Sequence, residues 1–71
     1  MTNSLDKIHI ELYSTDGKFQ GYLKSVSVYH NKVTSIDNKI DAKSYAKVET
    51  ALKDCELVGV LTHGALIPKY N

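Results

Sequence analysis

The chain has one cysteine, one proline, no tryptophan and no arginine among its 71 residues. Each shortage excludes something. The single cysteine, Cys55, rules out an intramolecular disulfide. Structural zinc takes about four ligands, and Cys55 with His9, His30 and His63 shows no short Cys-x-x-Cys or His-x-x-x-His spacing. No metal and no cofactor is therefore expected. All nine basic residues are lysine. Arginine supplies the bidentate contacts to guanine and phosphate, so its absence counts against sequence-specific nucleic-acid binding. Long apolar runs are also missing. Nothing approaches the roughly 20 apolar residues of a membrane span, and the opening Met1-Thr2-Asn3-Ser4 is polar, unlike a signal peptide. With the lone cysteine, this predicts a reducing, cytoplasmic setting and no membrane.

What is present fits one domain over residues 1–71. Net charge is +1 and 42% of the residues are hydrophobic. A chain this short buries only about 60% of the surface it exposes when unfolded, so its core is small. Disulfide and zinc are excluded, which leaves association as the expected reinforcement, as a homo-oligomer or on a larger partner. A two-fold dimer is the commonest closed form.

The first strand spans Lys7 to Tyr13, where Ile8, Ile10 and Leu12 alternate with His9, Glu11 and Tyr13. Asp16-Gly17 then signals a two-residue type I′ hairpin. That turn sets Leu12 opposite Gly21, Ile10 opposite Leu23 and Ser14 opposite Phe19 on one side. Glu11 faces Tyr22, Tyr13 faces Gln20 and His9 faces Lys24 on the other. Further along, Phe19 and Leu23 are odd-numbered while Val26 and Val28 are even-numbered. One common core face then requires a bulge near Lys24-Ser25. A three-residue loop at His30-Asn31-Lys32, with Asn31 or Lys32 left-handed, pairs Val28 with Thr34 and Val26 with Ile36. Asp37-Asn38-Lys39 ends the strand, and Ile40 is expected to tuck beneath the helix start.

From Asp41 to Cys55 the period becomes helical. Tyr45, Val48, Leu52 and Cys55 recur at steps of three, four and three, with Lys43, Lys47, Thr50 and Asp54 opposite. Asp41 suits the N-cap, and Glu49 with Lys53 forms an i,i+4 pair. The predicted helix runs from about Ala42 to Asp54. The apolar run Leu57 to Leu61 then reads as a buried strand. His63-Gly64 turns the chain, and Ala65-Leu66-Ile67 returns as a short fifth strand that Pro68 confines to an edge. The order β-β-β-α-β, with that fifth strand, implies an α+β fold: a small antiparallel sheet with one helix on one face. The expected core is Ile8, Ile10, Leu12, Phe19, Leu23, Val26, Val28, Ile36, Ile40, Tyr45, Val48, Leu52, Val58 and Val60.

No catalytic residues emerge. The histidines read as surface groups on a strand, a turn tip and a turn. Cys55 reads as a small hydrophobe on the apolar stripe, since a reactive thiolate prefers a helix N-terminus or a neighbouring cation. The scattered glycines form no phosphate loop. Lys39, Lys43 and Lys47 line the predicted helix start and are the candidate contacts for a weak nucleic-acid-binding function, diluted by Asp37 and Asp41. The stronger candidate is the sheet face opposite Ile10 and Leu23, where Tyr13 and Tyr22 stand with Glu11, Gln20 and Lys24. Tyrosine combines a large apolar body with a polar tip and is enriched at interfaces. The expected function is a small intracellular protein-binding module, an accessory or inhibitory protein of the kind phages and mobile elements encode, acting on a larger partner. A nucleic-acid-binding module is the alternative. A small metal-free enzyme comes third, because no nucleophile is spaced with a base.

Overall fold

The alternation of aliphatic and polar residues at the start of the chain makes strand β1, Ile8–Ser14, the centre of a five-stranded antiparallel sheet. The computed structural model describes residues 7–70; the polar start and Asn71 lie outside the described residues. Strand β2 is Phe19–Ser27, β3 is Lys32–Ile36, and β4 is the two-residue Ser44–Tyr45. Helix α1, Val48–Leu61, follows, and β5, Leu66–Tyr70, closes the chain. The sheet order is β3-β2-β1-β4, with β5 also paired to β1. The fold is α+β, with an antiparallel sheet and one helix, as the sequence pattern implies.

One side of the sheet is the core. Ile10, Leu12 and Leu23 meet Tyr45 and the helix residues Ala51 and Val58 there, all buried, with Ile8, Val26, Val33, Cys55 and Leu66 packed around them. Strand β5 pairs only with β1 among the described residues, and Pro68 stands opposite Leu12. A proline lacks the donor that a central strand needs on both sides, so the edge position follows.

The β1–β2 hairpin departs from expectation twice, and the two departures cancel. The loop has three residues: the Ser14 amide donates to Lys18 at 2.8 Å, and Gly17 (φ +89°) donates to Ser14 at 2.9 Å. Gln20 then bulges, so Tyr13 pairs with Phe19 while Leu12 pairs with Gly21. The expected pairs Leu12–Gly21 and Glu11–Tyr22 are present. Phe19, however, moves to the face opposite the core, because the extra residue beside it reverses its side. Gly21 has φ +117° and lies so near β3 that a Cβ would sit 3.0 Å from the Ile36 carbonyl oxygen, so glycine is required there.

The expected bulge near Lys24 is present, with Leu23 opposite Ser35 and Ser25 opposite Thr34. The loop after it is earlier and longer than predicted. Ser27 pairs with Lys32, leaving Val28 to Asn31 as the loop with Asn31 left-handed at φ +52°. Val28 is therefore exposed rather than core, and Val26 faces Val33 instead of Ile36.

The helix begins about six residues later than its sequence pattern implies. Residues 42–47 are a turn, β4 and an extended link, and Ile40 is 93% exposed instead of stapled beneath the helix. The buried stripe of α1 is Ala51, Asp54 and Val58, with Cys55 at its side in the middle of the helix. Val48 and Leu52 lie on an open flank and Val60 faces water. Leu57 to Leu61 is thus the end of the helix, not a strand. It stops in a Schellman motif: His63 (φ +55°) donates to Val60 at 3.2 Å and Gly64 donates to Gly59 at 2.9 Å.

Candidate interaction surface

Among the described residues, only one face of the sheet is covered, by α1. Residues directly opposite one another in antiparallel strands share a face, so the register fixes the membership of the other one. Glu11 stands between Tyr22 and Lys69, Tyr13 stands between Phe19 and Ile67, and Ile36 adjoins Tyr22 from β3. The aromatic rings touch. Phe19 packs edge-on against Tyr13, centroids 5.6 Å apart, and against Tyr22 at 5.2 Å. Edge-to-face geometry sets the positive rim of one ring against the negative face of the next.

Polar tips frame this cluster. The Tyr13 hydroxyl donates to Glu11 Oε1 at 2.6 Å, which raises the pKa of the phenol above its ordinary value, with burial and the Glu11 charge acting the same way. Lys69 Nζ lies 5.2 Å from the centre of the Tyr13 ring, a cation–π contact. Phe19 remains 48% exposed and Ile67 40%. The surface is therefore a packed aromatic centre with one acid, one base and open apolar flanks.

Of the five residues the sequence nominated, Glu11, Tyr13 and Tyr22 stand together on this face. Gln20 and Lys24 are the bulged residues of β2 and are exposed, but neither has the cross-strand partner expected of it. Phe19, Ile67 and Lys69 were missed. Phe19 required knowledge of the Gln20 bulge. Ile67 and Lys69 alternate about Pro68, a signal that becomes readable only once β5 is laid beside β1.

The lysines nominated for nucleic acid are not on the helix. Lys39 and Lys47 are exposed on the link before it. Lys43 is engaged: its Nζ donates to Asp54 Oδ2 at 2.8 Å and lies 5.1 Å from the Tyr45 ring centre. The Tyr45 hydroxyl donates to the same Asp54 oxygen. Asp54, expected to face water, is instead the one charged residue in the buried stripe of α1, at 9% exposure. Burial works to raise its pKa, but the hydrogen bonds from Lys43 and Tyr45 and the Lys43 charge outweigh this and hold it below the ordinary range. Burial, then the Asp54 carboxylate, pushes the Tyr45 phenol far up, so it stays a donor. Burial, then the Asp54 charge, raises the Cys55 thiol, which keeps it a thiol at neutral pH.

His9 is on β1 opposite Ser44, His30 is in the loop after β2, and His63 is the left-handed residue that ends α1. The last has a structural role that spacing alone does not reveal. His9 Nδ1 is buried with no hydrogen-bond partner among the described residues. Among those residues, no three His, Cys, Asp or Glu side chains come together around a common point, and no helix is long and apolar enough to cross a membrane. The chain matches no protein-family model, and searches of curated proteins and of solved structures return no significant similarity.

Proposed function

We propose that this chain is a protein-binding module, an accessory or inhibitory protein whose contact surface is the uncovered face of the sheet, centred on Phe19. The observation that carries the reading is the unequal treatment of the two faces. The helix covers one, while the other packs Phe19 against both Tyr13 and Tyr22 and leaves Phe19 half exposed. Aromatic side chains held rigid by their neighbours lose little entropy on binding and make frequent hot spots at interfaces. Glu11 and Lys69 at the margin supply orientation. The partner is a larger protein offering an apolar anchor, and a second copy of this chain is the competing occupant. The nucleic-acid reading loses weight because Lys43, one of its three lysines, is neutralised by Asp54.

A photo-crosslinking side chain placed at position 19 in the native host tests the proposal, with the same group at Thr50 on the outer side of α1 as control. A single partner captured from position 19, lost with Tyr22→Ala and absent from position 50, supports it. Sedimentation over a concentration series identifies the occupant: adducts at twice the chain mass with dimerisation in solution assign the face to a second copy. Equal capture from positions 19 and 50 would overturn the reading.

A further inference from the structure

Helix α1 starts without a cap. Its N-cap position is Lys47, whose backbone is extended (φ −132°, ψ 143°) and whose side chain makes no capping hydrogen bond. The free amides of a first turn favour Ser, Thr, Asp or Asn at that position. The sequence holds such a residue at Asp41, and from Ala42 to Lys47 it contains no glycine, proline or β-branched residue. These residues nonetheless form a turn, the two-residue β4 and an extended link.

Continuing α1 backwards through them would place Tyr45 in line with Val48 and Leu52, at steps of three and four. Val48 and Leu52 are 41% and 48% exposed, so an apolar line on the open flank of α1 already exists and lacks its first member. Side-chain and backbone bonds hold the segment elsewhere. Lys43 and Tyr45 both donate to Asp54 Oδ2, and the Lys43 amide donates to the Leu23 carbonyl at 3.0 Å. Two paired positions, Ile8–Tyr45 and His9–Ser44, complete the attachment.

We propose that residues 42–47 form a two-state segment, docked as β4 while Asp54 holds Lys43 and Tyr45, and wound into an N-terminal extension of α1 capped by Asp41 when that hold is released. In the wound state Tyr45, Val48, Leu52 and Cys55 make one continuous apolar stripe, and the first residues of β1 lose their β4 partner. The device therefore presents a helix face and a strand edge together. It does not depend on the uncovered sheet face being an interface. The docked state dominates while Asp54 is charged, because leaving it also takes Tyr45 out of the core. The groups holding or adjoining the Asp54 carboxylate are Lys43 and Tyr45 from the β4 segment and Cys55 beside it on α1, so removing the Asp54 charge, by substitution or in strong acid, is the release.

The test is Asp54→Asn, which removes the charge at nearly constant shape. Helical Cα chemical shifts at residues 42–47, greater helical ellipticity and faster amide exchange at the β4 pairing are the expected results. Ala46→Gly in the same background should cut the wound-to-docked ratio about fivefold, the cost of glycine within a helix. Lys47→Ser, which caps the docked helix, should also reduce it. Random-coil shifts at 42–47 in Asp54→Asn, or unchanged strand shifts, overturn the proposal. If that variant does not fold, exchange spectroscopy on the unaltered chain through the acid titration of Asp54 decides. A minor state with helical shifts at 42–47 supports the proposal, and its absence overturns it.

Discussion

The two faces of the sheet are made from the same strands and are finished differently. On the covered face Ile10, Leu12 and Leu23 are aliphatic, dry and closed over by Ala51 and Val58. On the uncovered face Phe19 packs against both Tyr13 and Tyr22, with Glu11 and Lys69 touching the Tyr13 ring or its hydroxyl. Aliphatic side chains need another layer to exclude water. Aromatic side chains with polar tips shield one another and tolerate being left open. Under the proposed function, the two faces separate stability from recognition. Substitutions on the first face should cost folding, and substitutions on the second should cost binding.

The hardest test of that division is Leu23→Ala against Phe19→Ala. Leu23 is fully buried and should lose about 2–5 kcal/mol, enough to unfold a domain this small. Next comes the polar inlay in the covered face. Asp54→Ala removes two hydrogen bonds to a charged acceptor, each worth about 1.5–3 kcal/mol, and should cost about 3 kcal/mol or more in urea denaturation. Its pH signature is distinct. The folded pKa of Asp54 is depressed, so its contribution is complete above the ordinary carboxylate value of about 3.9 and is lost as the pH falls through the lower folded value. Asp54→Asn should flatten stability below about pH 4. Asp16, held low by the Ser14 hydroxyl in an exposed loop, shifts in the same direction, so Asp16→Asn is the control and should flatten it less.

Smaller effects belong to the open surfaces. Phe19→Ala should cost about 1–3 kcal/mol, the worth of its two aromatic pairs, while abolishing partner capture. A loss as large as that of Leu23→Ala would show that the uncovered face is a second core. Leu52→Ala should cost about 1 kcal/mol or less, because Leu52 is half exposed on α1. The helical stripe of the sequence pattern had placed Leu52 in the core, and a loss above about 2 kcal/mol would restore it there.

The strands were legible because alternation is a local signal. Ile8, Ile10 and Leu12 announce β1, and the Glu11–Tyr22 and Leu12–Gly21 pairs follow from it. Phe19 was misplaced because a three-residue loop and the Gln20 bulge each shift the chain by one, leaving the later register intact and only Phe19 reversed. The helix was legible as an element but not in position. Tyr45, Val48 and Leu52 have the right spacing, yet Tyr45 is drawn into the core by Asp54, a residue no apolar pattern would select. Leu57 to Leu61 resembles a strand by composition, and only the hydrogen bonds of His63 and Gly64 mark it as the end of a helix. The aromatic face was half legible, since Tyr13 and Tyr22 lie on strands read directly and Ile67 and Lys69 lie on one that depends on long-range pairing.

The two bulges of β2 also set where this chain can change length. Gln20 and Lys24 each occupy a place with no residue opposite. Removing either one closes the ladder without turning any neighbour to the wrong side, because Phe19 and Gly21, or Leu23 and Ser25, already alternate. Removing Tyr22 or Val26 would instead exchange core and surface for the residues between the deletion and the nearest bulge or loop. Single-residue deletion variants at positions 20 and 24 should fold, with a less curled sheet, and those at 22 and 26 should not. In lineages descended from this chain, insertions and deletions within β2 are expected to collect at those two positions.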